Sequence, residues 1–321
     1  MTNGLALIGG SGFIGRHLLR ALANDRTGQV RVLVHAHDPC ERLTAPNIST
    51  ASGDLLKPGS LEALITTGCT VVNLAYMSAR SRDDNLAAVT NLAKACRIGR
   101  ARRMVHVSTA AVVGAASGDV ITEATPPDPR VDYESTKLEI ERRLTVEARN
   151  AFELVILRPT AVLGPGGKNL ITLAAGLLGD TALKNYARAC LHGRRKMNLV
   201  CVDNVVAAIR FATEVHVTSP SEIFIVSDDD DTLNNYRDVA SILRRSLGRG
   251  DYAVPPLPIS RTLLRMVLKF RGRSNANPNR VYSDARLTGA GFRKATTLAA
   301  GLASFGDWYL QAHARSADIV E

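Results

Sequence analysis

Tyr133 and Lys137 stand four residues apart in the run DYESTKLEIERRLTVE, a spacing that puts both side chains on one face of a helix. A tyrosine ionises near pH 10, and an ammonium one turn away favours its phenolate. Such a pair can pass a proton to or from an alcohol or carbonyl oxygen. The same spacing also arises on ordinary solvated helices, so these two residues alone leave both readings open. A second cluster is of another kind. Gly9, Gly12 and Gly15, in LALIGGSGFIG, follow a short apolar run and open a helix-like one. The first glycine permits a tight turn, the second lets backbone approach a pyrophosphate, and the third lets helix and strand pack closely. The helix N-terminus adds free N–H groups and partial positive charge. An ordinary strand–helix turn is the competing account, and the strand before and helix after favour the nucleotide site over it.

The end of the next strand bears on which dinucleotide is held. An acidic residue there binds a ribose 2′-hydroxyl, whereas a basic one accommodates a 2′-phosphate. Here the chain reads Val34-His35-Ala36-His37-Asp38. Valine takes the acidic place and His35 stands beside it, with Arg16 and Arg42 as further phosphate partners. The expected cofactor is NAD(P), tipped towards NADP(H) unless Asp38 folds back to restore an acidic contact. Asp54, in SGDL, is placed either to accept a hydrogen bond from an adenine amino group or to cap a turn.

These residues need elements to position them. Apolar runs at 5–10, 30–35, 48–55, 70–76, 104–109 and 152–160 read as strands. Helix-like stretches lie between them, notably near 83–100 and 133–149. Near-continuous apolar strands alternating with helices predict an α/β fold with a doubly wound parallel sheet covered on both faces. Its ligand crevice lies at the carboxyl ends of the strands. After Gly164-Pro-Gly-Gly167 the pattern loosens. Residues 1–164 are expected to form mainly the dinucleotide-binding domain, and 165–321 mainly a smaller C-terminal substrate lobe. Segments at about 196–226 return to the core. The stretch PISRTLLRMVLKF predicts a basic amphipathic helix, packed or resting on a membrane surface.

Composition narrows the classes. A 321-residue chain with 45% hydrophobic residues is an ordinary globular one rather than a disordered one. Its net charge of +10 invites nucleic acid, but the basic residues are spread through many helices. Aromatics at 5% offer little for stacking on bases. No nucleic-acid partner is expected, and the charge suits an anionic substrate or an anionic membrane surface equally well. Cys40, Cys69, Cys96, Cys190 and Cys201 are scattered without CxxC spacing, which argues against a disulfide framework or a metal site and for a reducing compartment. The opening MTNGLALIGG lacks a basic segment and a long apolar core, and no apolar run reaches spanning length. No signal peptide or transmembrane segment is expected, and the location is expected to be cytoplasmic.

Eight motifs then fall in order: GGSGFIG, SGDL, VVNLA, NLAAVTNLAKAC, VHVSTAAVVG, YESTK, LRPTAVLGPGG and VDNVVAAI. Together they resemble the extended short-chain dehydrogenase/reductase family, in its NAD-dependent epimerase/dehydratase branch, from Gly9 to about Trp308. The resemblance implies a Rossmann domain with a small substrate lobe. It implies Tyr133 as the catalytic tyrosine, Lys137 as its partner, Thr109 as the hydroxyl that holds the substrate oxygen, and Asn85 as the asparagine of the helix after the fourth strand. Asn85 also reads as a polar residue bonded to backbone at the sheet–helix junction. Phe13, Ile14, Leu55, Leu74, Ala75 and Pro159, within the same motifs, join the three glycines, His35, Asp54, Tyr133 and Lys137 as implied cofactor contacts. A homodimer through the helices near 83–100 and 133–149 is implied as well.

The implied activity is NAD(P)-dependent oxidoreduction or epimerisation at a secondary alcohol or ketone of a nucleotide sugar. Three departures bear on the substrate. Ala161 stands where such enzymes often place an asparagine, Met197 where they often place an arginine, and Val113 where a tyrosine is common. Arg194, Arg195 and Lys196 could supply the missing positive charge, or form a solvated basic loop. The alternatives are NADP-dependent reduction of a hydrophobic ketone, as in the related steroid and flavonoid reductases, and a non-catalytic dinucleotide-binding protein.

Overall fold

The computed structural model describes residues 4–25, 28–35, 45–257 and 277–317. Asp38, Cys40, Arg42 and the stretch PISRTLLRMVLKF lie outside the described residues.

The first half alternates as its apolar pattern predicts. Strand β1 (Leu5–Ile8) leads into helix α1 (Phe13–Asp25), followed by β2 (Val30–Val34), β3 (Ile48–Ser52) and β4 (Thr70–Asn73). Helix α2 (Arg82–Ile98), β5 (Arg103–Val107), the short β6 (Val120–Ile121), α3 (Asp132–Ala148) and β7 (Glu153–Pro159) complete it. Then come β8 (Ala161–Leu163), α4 (Ile171–Gly179), α5 (Ala182–His192), β9 (Leu199–Cys201), α6 (Val202–Glu214) and β10 (Ser221–Val226). Helix α7 (Tyr236–Ser246), β11 (Val281–Tyr282), α8 (Ala285–Gly289) and α9 (Leu298–Ala317) end the described chain.

Seven strands form one sheet in the order β10-β7-β5-β4-β1-β2-β3, all parallel. Alternate side chains of each strand feed two cores. Leu7, Val32, Val72 and Val105 pack with Leu18, Leu19, Leu22 and Ile209 of α1 and α6. On the other face Ala6, Ile8, Val71 and Met104 pack with Leu86, Val89, Leu92, Ile140 and Leu144 of α2 and α3. Each fully buried leucine contributes about 1.5–3 kcal/mol by leaving water. Parallel strands buried on both faces explain the near-continuous apolar runs.

The chain order reverses between β1 and β4, which opens a crevice at their carboxyl ends. Beyond β7 a separate core forms from Leu163, Leu199, Val239, Leu243, Leu302 and Phe305. The segment near 196–226 divides. Its β9 pairs with β8 outside the large sheet, while β10 adds to the large sheet beside β7. The pairing of β6 with β11 was not foreseen, because two-residue strands carry no periodic signal. Among the described residues, no helix is long and apolar enough to cross a membrane.

Candidate active site

The glycine turn follows β1 and is shaped by contact. Gly9 has φ +82°, and a Cβ there would stand 3.0 Å from the Ala75 nitrogen. Both facts favour glycine. A Cβ at Gly15 would meet the Gly9 carbonyl oxygen at 2.2 Å, so only glycine lets α1 close onto the turn. A Cβ at Gly12 meets only that oxygen, at 3.3 Å, leaving its other side open. Leu74 and Ala75 back the turn: the Leu74 N–H donates to Ile8 O, and the Ala75 N–H donates to Asn73 Oδ1 at 3.0 Å. This cradle fits a dinucleotide pyrophosphate over the start of α1. Ser108 Oγ and Thr160 Oγ1, at the ends of β5 and β7, are buried without a protein partner. They suit polar atoms of a bound ligand.

Among the described residues, β2 ends in Val34 and is followed by His35, without a carboxylate of its own. Val34 is buried, and the exposed His35 places Nε2 3.9 Å from Asp54 Oδ2. Asp54 Oδ1 accepts from the Leu56 N–H at 2.9 Å. One carboxylate oxygen therefore holds a local turn and the other faces His35, so both sequence readings of Asp54 have a counterpart.

Helix α3 carries the acid–base candidates. Lys137 is 3% exposed, and its Nζ donates to Val107 O at 3.2 Å. The same Nζ lies 5.3 Å from the Tyr76 ring centre. The Tyr76 ring in turn meets the Tyr133 ring edge-on, with centres 5.2 Å apart. Burial lowers the Lys137 ammonium to about 8, partly opposed by the Glu141 carboxylate. Tyr133 stays 43% exposed to the crevice. Burial raises its phenol, while a hydrogen bond with the Thr109 side chain pulls the other way. The ammonium is turned to a carbonyl and to the Tyr76 ring. Thr109 is fixed as the cap of the short 110–113 turn, accepting from the Ala111 N–H at 3.2 Å.

Asn85 does something different. Its Oδ1 accepts from the Met77 N–H at 2.9 Å, and its Nδ2 donates to Met77 O and Ser81 O. The side chain pins the loop between β4 and α2, which matches the backbone-bonding reading and places Asn85 behind the site. Leu55 and Ala75 border a small cavity of about 10 Å³ beside it, also lined by Asn73, Tyr76 and His106.

Thr109 and Tyr133 open on a crevice of about 840 Å³, bordered near the glycine turn by Phe13 and Ile14, and by Pro159 after β7. From the C-terminal segments come Lys168, Arg195, Asn198 and Tyr282. Of the three basic residues 194–196, only Arg195 lines the crevice. Ala161 and Met197 line it too, while Val113 is buried in the adjoining turn.

Several crevice residues escaped the sequence reading, Tyr76 and Glu134 among them. Tyr76 ends the VVNLAY run and gave no signal of its own. Glu134 reads as a spacer beside Tyr133, yet it is 7% exposed and lines the crevice. The helical period hints at this, because i and i+3 share a face with Lys137. Among the described residues no group of three or more His, Cys, Asp or Glu is placed to hold a metal ion.

The family model described as NAD dependent epimerase/dehydratase matches residues 5–227. The 2-alkyl-3-oxoalkanoate reductase of Stenotrophomonas maltophilia is 28% identical over 65% of this chain and 65% of its own length, a little under two thirds. The UDP-glucose 4-epimerase of Vibrio cholerae is 26% identical over 72% of each chain. In fold, the chain is similar to the crystal structure of UDP-glucuronic acid 4-epimerase from Bacillus cereus in complex with NAD. The TM-score is 0.70 at 19% identity, covering 97% of this chain and 98% of that one.

Proposed function

Because the chain belongs to the NAD-dependent epimerase/dehydratase family, and so is an enzyme of oxidoreductase or isomerase type, we propose that it acts on a secondary alcohol or ketone of a nucleotide sugar. Thr109 and Tyr133, which share the mouth of the crevice with Lys137 buried behind them, carry this reading. The dinucleotide, when bound, supplies hydride exchange at the substrate carbon. Tyr133 gives its phenolic proton to the substrate oxygen during reduction and takes it back during oxidation. Thr109 donates to the same oxygen and holds it in line. Lys137 contributes positive charge beneath the tyrosine and reaches towards ribose hydroxyls. Gly9, Gly12 and Gly15 hold the pyrophosphate. Asn85 positions the 77–81 loop instead of touching the reacting atoms. Lys168 and Arg195 are suited to the substrate's phosphates in place of the groups absent at Ala161 and Met197.

The domain division, with dinucleotide binding mainly in 1–164 and substrate binding mainly in 165–321, belongs to this reading, as does a cytoplasmic location. The absence of a carboxylate at Val34, with His35 exposed beside it, favours NADP(H). A homodimer through α2 and α3 is also part of it, and light scattering that gives a monomer at micromolar concentration removes it. A second reading, reduction of a hydrophobic ketone, draws on the apolar Ala161, Val162 and Met197 in the crevice and on the oxoalkanoate reductase relative.

Calorimetry with NADPH and NADH, followed by turnover of a UDP-hexose, tests the proposal. We expect NADPH to bind more tightly, and Tyr133→Phe to bind it equally while losing about 10²–10⁴-fold in turnover. Binding of neither nucleotide would overturn the oxidoreductase reading, and full activity of Tyr133→Phe would overturn the role of Tyr133. Net consumption of NADPH identifies a reductase, and turnover without consumption an epimerase.

A further inference from the structure

The geometry points to Glu134 as a specificity-determining residue. It accepts a hydrogen bond from a hydroxyl on the substrate carbon next to the reacting one, and it excludes a carboxylate from that carbon. This rests on the reading of the crevice as a hydride-transfer site.

Glu134 occupies the third position of α3, directly after Tyr133, and is more than nine-tenths buried. An enclosed carboxylate oxygen needs a partner, whereas one that still touches solvent is open to a ligand. Only one of them has a partner within the protein. Oε2 accepts from the Arg130 N–H at 2.8 Å, a contact that closes the helix N-terminus. Among the described residues none donates to Oε1, and no lysine, arginine or histidine comes within 4.0 Å of the carboxylate. The nearest arginine in sequence gives its guanidinium elsewhere: Arg130 pairs with Asp128 at 2.7 Å. The Arg130 N–H thus accounts for Oε2, while Oε1 has no protein donor and is not among the fully enclosed unpartnered atoms, so it keeps contact with solvent.

Glu134 lines the crevice that also contains Thr109 and Tyr133, and Tyr282 lines it as well. A hydroxyl beside the reacting carbon satisfies Oε1. A carboxylate there meets like charge in a desolvated site, where repulsion is least screened. The crevice cations Lys168 and Arg195 come from other segments. The arrangement suits a molecule that is hydroxylated at its reacting end and anionic further away. It opposes a β-keto acid.

Two ring ketones differing only at the carbon beside the carbonyl test this: 2-hydroxycyclohexanone and 2-oxocyclohexanecarboxylate. Each is titrated calorimetrically onto the NADPH-saturated full chain, so selectivity is read whether or not turnover follows. Wild type is expected to favour the hydroxyketone by roughly tenfold to a hundredfold. Glu134→Gln keeps an oxygen for the Arg130 N–H but removes the charge, and should bind the keto acid about tenfold better. Glu134→Ala should lose affinity for the hydroxyketone in addition. A wild-type preference for the keto acid, or a Glu134→Gln selectivity within twofold of wild type, overturns the assignment. Turnover that fails with both ketones while this selectivity holds would count against the proposed reaction and leave the role of Glu134 standing.

Discussion

Two carboxylates on the same helix, Glu134 and Glu141, are buried to a similar degree, at 7% and 3% exposure, yet they are treated in opposite ways. Glu141 faces the sheet and is held by Arg158 of β7, with Nη2 to Oε2 at 2.6 Å and Nε to Oε1 at 3.1 Å. Both partners of that pair are almost fully enclosed. Glu134 faces the crevice with one oxygen capped and the other without a protein donor. At the same end Ser108 Oγ and Thr160 Oγ1 are enclosed without a protein partner. On the flank the Glu141–Arg158 pair satisfies itself, although His106 Nε2 is enclosed there without a partner, and the crevice-facing end leaves polar groups for a ligand. A buried polar group without a partner costs stability, so its persistence at one end of the helix marks where function, not folding, sets the residue type.

The contrast breaks most sharply at Arg158. Arg158→Met leaves the Glu141 carboxylate enclosed without its partner, and should destabilise the protein by about 3–5 kcal/mol in urea unfolding. The double variant Arg158→Met with Glu141→Leu removes both charges and should recover most of that loss. If Arg158→Met alone unfolds at the wild-type urea concentration, the flank is not the self-satisfied region described above.

How much of this could be read from the chain follows the same division. The sheet, its order of strands and helices, and the glycine turn were legible because apolar period and turn chemistry are local signals. Tyr133, Lys137 and Thr109 were legible as residue types in register with a family pattern, and the fold brings Tyr133 and Thr109 together at the crevice. Asn85 was legible as a residue bonded to backbone at the sheet–helix junction, and its bonds to Met77 and Ser81 show which loop it pins. Glu134 was read as a spacer because charge in sequence suggests solvent. Its burial depends on where the C-terminal segments, such as Tyr282, fold over the helix start.

Lys137 lies between the two regions and sharpens the comparison through pH. It is buried with the flank, but its neighbours are a carbonyl, an aromatic ring and the already paired Glu141. Burial lowers its ammonium from an ordinary 10.5 to about 8. Below about pH 8 the folded protein holds a charge away from water that the unfolded chain keeps hydrated, so the cost of burial is present in full. Between about 8 and 10.5 the folded protein sheds the proton first, and stability from this group rises with pH across that window. Above it, neither state carries the proton and the cost is gone. Lys137→Met should therefore be more stable than wild type at pH 7, and its advantage should shrink towards pH 10. Urea midpoints of the two proteins at matched pH values between 7 and 10 measure the difference directly. Taking the difference cancels titrations that the two share, including the raised phenols and thiols that act near the upper end. A gap that stays constant or widens with pH would mean that the ammonium is well solvated or fully paired. Lys137 would then belong with Glu141 and Arg158 on the satisfied flank, and not with Tyr133 at the site.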